Sequence, residues 1–288
     1  MTQKNAYFLK IIIILTFLSR AYQHIVLDVS YRTIIWSEGY SRNFIENTCK
    51  IKWEDFVSPM YDYKIQFFIR TIGVFFIIAS ICVYFINKNN YNKLKYPIIF
   101  ISFWQFIMFF VLTKEAFYQL GMFFEHAIQI GISILLLYYY SKYYNESRFY
   151  FFSKFIIAST FFCHGLYAFG YYAVPGRFVD MTLNIIKTFD ETDARIYLKV
   201  FGFIDFLVLP FIFIKSTLKP VLYYCIIWGL LTAFARIIAS WNYDFLYDVL
   251  KTFTHETIVR LCHGLFPLFL LIAINYKKET KKHFKTIS

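Results

Sequence analysis

The sequence predicts an all-α transmembrane fold: an eight-helix bundle with both termini in the cytoplasm, built as two fused four-helix repeats. Three observations predict it. Hydrophobic residues fill 59% of the 288 positions and charged residues only 17%, against about 25% charged in soluble domains. A chain so poor in polar groups cannot cover a water-facing surface, whereas lipid lets its outside stay apolar. Apolar windows of about 20 residues, the length that ~30 Å of hydrocarbon requires, recur along the chain, and its mean hydropathy is +0.50. Basic residues gather in alternate connections between those windows.

The N-terminus carries Lys4 and Lys10 ahead of the apolar run of the first window, 7–28. It runs on through Ser19, Arg20, Ala21 and Tyr22 with no small-x-small cleavage site, so it reads as a retained span rather than a signal peptide. Further spans are expected near 64–86, 96–117, 120–141, 151–174, 197–214, 220–241 and 256–275. The break before the fourth is short and rests on Gly121 and the pair Lys114/Glu115. The sixth is short, and Pro210 is placed to kink it. Two connections are long: 29–63, amphipathic with Trp36 and Trp53, and 175–196.

Charge sets the orientation. The N-terminus, 87–95, 142–154, 215–219 and the tail from 276 hold 15 of the 30 Lys and Arg, but only Glu146 and Glu279 of the 18 acids. That is the positive-inside bias of a multi-pass protein. It accounts for the net charge of +12 without nucleic acid as a partner. The five cysteines form no CxxC pair and no zinc-type spacing with histidine.

The long connections each follow the first helix of a group of four, which divides the chain into units 1–145 and 146–288, the second ending in a short basic cytoplasmic tail. Arg70-x-x-Gly73 matches Lys199-x-x-Gly202. Pro97 and Trp104 match Pro220 and Trp228. His24 and His164 sit late in spans one and five. Glu125 and Arg260 each lie 17 residues before a lysine, Lys142 and Lys277. Together with the segments RAYQHIVLDVSYRTIIW and IKWEDFVSP, this pattern resembles the DoxX-like bacterial membrane proteins, with two such units fused. The resemblance implies a bacterial inner-membrane protein and an association with quinone-linked oxidation.

Ionisable residues inside a span cost about 2.5–3.5 kcal/mol each by insertion scales, so they mark function or fixed internal pairs. The candidates are Arg20, His24, Glu125, His126, His164, Asp205, Arg236, Glu256, Arg260 and His263. With alternating orientation most fall in the outer half of the bundle, which points to a polar cavity open to the outside. Arg20 and His24, four apart, share a helix face, as do Glu256, Arg260 and His263. The spacing pairs Glu256 with Arg260, and Asp205 with Arg236 on the next span. Arg70 and Lys199 are expected at the interface.

Three readings follow. One is a redox or quinone/lipid-substrate subunit in which a histidine moves protons. The second is a transporter or binding subunit for an anionic solute held by Arg20, Arg236 and Arg260. The third is a non-catalytic assembly partner of a membrane or extracytoplasmic protein. Quinone is the cofactor the resemblance implies; haem lacks an HxxxH spacing to support it.

Overall fold

The computed structural model describes the backbone of residues 3–287 and the side chains of residues 3–276. The side chains of the basic tail from Lys277 onward, counted above for orientation, lie outside the described residues. Among the described residues every regular element is a helix. Helix α1 (Gln3–Val26) leads into a loop with three short helices, α2 (Arg32–Ile35), α3 (Glu38–Asn47) and α4 (Trp53–Phe56). Then come α5 (Pro59–Phe85), α6 (Tyr91–Glu115), α7 (Leu120–Glu125), α8 (Ala127–Tyr140) and α9 (Glu146–Phe169). The chain continues with α10 (Gly176–Ile185), α11 (Glu191–Phe211), α12 (Leu218–Ala239) and α13 (Leu246–Ile287).

Among the described residues six helices are long and apolar enough to cross a membrane: α1, α5, α6, α9, α12 and the Leu246–Tyr276 part of α13. This agrees with a multi-pass membrane protein, but it is two fewer than the eight expected spans. The expected span 120–141 is broken at His126, leaving α7 with 6 residues and α8 with 14. The expected span 197–214 begins earlier, at Glu191, so α11 carries Glu191, Asp193, Arg195 and Lys199 in its first half. Its outer face is nevertheless apolar. Ile196, Val200, Phe203, Leu207 and Phe211 form one exposed stripe at helical spacing, and Tyr223, Ile227, Leu231, Phe234 and Ile238 form another on α12. Such surfaces suit lipid rather than water.

Local chemistry sets the helix ends. Asn145 caps α9 by accepting a hydrogen bond from the Arg148 N–H at 3.0 Å, and Asp190 and Asp193 form a capping box at the start of α11. Pro59 opens α5, where its missing N–H costs nothing. The break between α6 and α7 is made by Phe117 and Tyr118, both in the left-handed region with φ of 52° and 60°. The sequence placed this break at 118–120, which takes in Tyr118, but rested it on Gly121 and the Lys114/Glu115 pair. Gly121 instead packs under Tyr172, where a Cβ would come within 2.7 Å of the ring. The Tyr118 and Tyr40 hydroxyls hydrogen-bond across the break.

Packing follows a recurring plan. The first long helix of each half lies on the second, α1 on α5 and α9 on α11. The third lies on the fourth, α6 on α8 and α12 on α13. Across the halves α1 meets α13 and α9 meets α8, and a loop helix meets the third helix in each case, α2 on α6 and α10 on α12. One relation differs between the halves: the backbones of α5 and α6 run close together, whereas those of α11 and α12 stand further apart and are bridged by side chains, Phe201 stacked on Trp228 at 4.2 Å and Tyr224 bonded to Asp205.

Glycines let backbones approach at two crossings. A Cβ on Gly202 would lie 2.4 Å from the Phe169 nitrogen, and one on Gly229 would lie 2.7 Å from the His263 carbonyl oxygen. The main apolar core, with Phe17, Phe76, Phe149, Phe266 and Phe269, fills the bundle. A second core, with Tyr31, Trp53, Phe56, Ile69 and Phe109, holds the α2–α4 segment on the bundle. That end, capped by α2–α4 and α10, is called the cap end below. Outside the spans, burial works against the Arg32 charge, but its bonds to Asp62 at 2.6 Å and to Asp28 hold the guanidinium above its usual pKa.

Candidate functional site

All ten sequence candidates lie toward the cap end, and they fall into three neighbouring groups. The first is closed. The Trp104 indole N–H donates to the Tyr31 hydroxyl at 2.7 Å. That hydroxyl bonds His24 Nε2 at 2.8 Å, and His24 Nδ1 bonds the Arg20 carbonyl at 2.6 Å. A ring nitrogen facing a carbonyl must donate, so His24 is the Nδ1–H tautomer and Nε2 accepts from Tyr31. His24 is fully buried and lies against Phe76. It shares a helix with Arg20 but turns toward α5, away from the other candidates.

The second group is the charge cluster. Arg20 is buried on α1 and donates to Gln23 at 2.6 Å and Gln129 at 2.7 Å. Its guanidinium covers the Phe109 ring, on whose plane His126 stacks at 4.4 Å. His126 Nδ1 donates to the Met122 carbonyl at 2.8 Å. Arg260 pairs with Glu125 at 3.1 Å. Glu256 is gripped by both terminal nitrogens of Arg177, at 3.1 and 2.5 Å, and faced by Arg236 Nε at 3.6 Å. Arg236 also donates to the Thr232 carbonyl at 2.6 Å. His263 lies in electrostatic reach of Glu125 and Arg260, with Nε2 unpartnered.

Both ion pairs expected from spacing are corrected. Glu256 does not pair with Arg260, because Arg260 reaches across to α7 while Glu256 is taken from α10 and α12. Asp205 does not pair with Arg236. Its carboxylate meets His164 Nδ1 at 3.0 Å and the Tyr224 hydroxyl at 2.7 Å. Arg70 and Lys199 are exposed, Lys199 over the Phe169 ring.

The third group is this His164–Asp205 pair. Gly165 lets α9 approach α11 there, since a Cβ on it would lie 2.7 Å from the Gly202 carbonyl and 3.0 Å from the Asp205 Cβ. The pair borders a cavity of about 210 Å³ between α10, α11 and α12. Its wall is mostly apolar (Phe178, Ile186, Trp228, Leu231 and Phe234 among others), and its ionisable lining groups are His164, Arg236 and the Tyr197 phenol. Leu231, Phe234 and Ile238 both line it and belong to the exposed α12 stripe, so it opens on the outward apolar face of α12.

Sequence reasoning missed several contributors. Arg177 lies in the long 175–196 connection, outside every expected span, and its partner Glu256 is 79 positions away. The break at His126 frees helix-start N–H groups, and the Thr160 hydroxyl takes the one on Ile128 at 3.1 Å. His255, whose backbone carbonyl accepts from Ser19 at 2.5 Å, lines a second groove between α1 and α13. Only the isolated polar letter in an apolar run signalled Gln105, which is fully buried with neither amide atom partnered. Among the described residues no group of three or more His, Cys, Asp or Glu is placed to hold a metal ion. No family model, no curated protein and no solved structure matches the chain.

Proposed function

We propose that the protein binds an amphipathic, ring-headed ligand of the lipid phase, of the quinone class, in the α10–α11–α12 cavity. One observation carries this reading: a mostly apolar cavity opening toward lipid, with the His164 imidazole and the Arg236 guanidinium in its lining beside the Tyr197 phenol. Asp205 accepts from His164 Nδ1, which fixes the tautomer and leaves Nε2 as a proton acceptor facing the cavity. Tyr224 holds the other Asp205 oxygen. In the reduced, quinol form a hydroxyl of the ligand would give its proton to His164 Nε2, and in the oxidised form Arg236 would donate to a head-group carbonyl. A cavity of about 210 Å³ lies below the ~300–1,000 Å³ of drug-sized pockets, so it takes a head group and leaves the tail among lipid.

The same reading takes the chain as two DoxX-like four-helix units, 1–145 and 146–288, in a bacterial inner membrane with eight crossings. The recurring neighbour plan supports it, as does a matched contact: His24 lies on Phe76, three residues after Gly73, and His164 bonds Asp205, three residues after Gly202.

The test uses purified protein in nanodiscs. A short-tailed benzoquinone should quench Trp228 fluorescence saturably, and lipid extraction should yield a copurifying quinone. Trp228→Phe should remove the saturable part, and His164→Ala should weaken it at least tenfold. Equal quenching in His164→Ala, or no quinone in the extract, would sink the reading.

A further inference from the structure

The charge cluster does not balance. Arg177 and Arg236 share Glu256, Arg260 takes Glu125, and Asp205 is bonded by His164 and Tyr224. Among the described residues no carboxylate is in direct contact with Arg20, which is 7% exposed. Its two hydrogen-bond partners, Gln23 and Gln129, are neutral amides. The Phe109 ring face offsets part of the charge, but the repulsion of Arg260 outweighs the more distant pull of Glu256, which is already shared by Arg177 and Arg236. A buried guanidinium without a counter-charge is costly, and natural sites supply one.

Unpartnered donors stand at the same place. Arg20 Nε is buried with no partner. Gln105 lies one turn before Phe109 on α6, on the face that Arg20 covers, and its whole amide is unpartnered. One turn further along α6, Ser102 bonds Ser133 of α8 at 2.7 Å. Gln105 therefore points into the α6–α8 seam beside Gln129, the residue that holds Arg20. Buried polar atoms left open in this way mark an occupant. Water would satisfy the hydrogen bonds but not the charge.

We propose that a small monovalent anion, chloride or a simple carboxylate, sits beside Arg20 in the α1–α6–α8 seam and takes hydrogen bonds from Arg20 Nε and the Gln105 amide. This site is separate from the His164 cavity, and neither depends on the other.

The experiment measures Tm in nanodiscs of zwitterionic lipid at constant ionic strength. Chloride or acetate replaces a bulky sulfonate buffer anion in steps. The expected result is a saturable rise of several degrees in the wild type. Arg20→Gln should lose the response. Should that variant not fold, Gln129→Glu places a carboxylate on Arg20 from within, and it should be more stable than wild type in the sulfonate and indifferent to chloride. A wild-type Tm that is flat across the anions overturns the proposal, as does a Gln129→Glu protein that keeps the full response. Stabilisation by phosphatidylglycerol nanodiscs alone would also overturn it, by assigning the counter-charge to a lipid headgroup.

Discussion

Tyr31 gives and takes one hydrogen bond in the same small space, and its loss should be felt at both ends. Tyr31→Phe leaves Trp104 Nε1 and His24 Nε2 unpaired in the core, at a cost of about 1–3 kcal/mol per stranded group. Thermal unfolding in nanodiscs should show that cost, while quinone quenching at Trp228 stays unchanged. Glu125 is the sharper case. Glu125→Gln strips the charge partner from Arg260, and breaking a buried pair on one side costs about 3–5 kcal/mol. Arg260→Gln added to Glu125→Gln should restore part of the loss; a double variant weaker than the sum of the singles would contradict the pairing. The ten candidates were legible as types, since a charged letter in an apolar run is conspicuous. Their partners were not. Spacing on one helix linked Glu256 to Arg260, yet each found its partner on other helices, and no periodicity within a helix reports which neighbour it meets.

Among the elements, the glycine crossings decide where the chemistry sits. Gly202→Ala pushes a methyl against the Phe169 backbone, and overpacking of this kind costs about 1–3 kcal/mol. It should also part His164 from Asp205 and so weaken quinone quenching. Gly39→Ala is the control. Nothing lies within 4 Å of its added Cβ on α3, and a helical Gly→Ala change there should gain about 0.5–1 kcal/mol without touching ligand binding. The long helices were legible because 20-residue apolar runs have few alternatives, and most of their ends fall within a few residues of the expected spans. The break at His126 was not. It is made by tertiary partners such as Thr160, while the local letters, FFEHAIQIG, read as continuous helix. α10 was hidden for a related reason: ten residues in a loop show no sign that they roof a cavity.

For the whole molecule, the charge bias sets the expected orientation in the membrane. Cysteines placed at 90, 146 and 282 should react with impermeant reagents only from the cytoplasm, and those at 43 and 188 only from outside. Labelling at 43 and 146 from one side would overturn the eight-crossing arrangement and return α11 or α7–α8 to the surface. The count itself was the least legible global feature, since polar residues early in α11 dilute a helix whose outer stripe is apolar throughout. The gap by which the cavity opens on the apolar face of α12 carries a thermodynamic consequence. A ligand that comes through this gap has already partitioned out of water, so the quantity that fills the cavity is its mole fraction in the membrane. Adding empty vesicles at fixed total ligand should then drain the site, although neither the protein nor the ligand has become scarcer in the tube, whereas doubling the aqueous volume should scarcely matter for a strongly lipophilic compound.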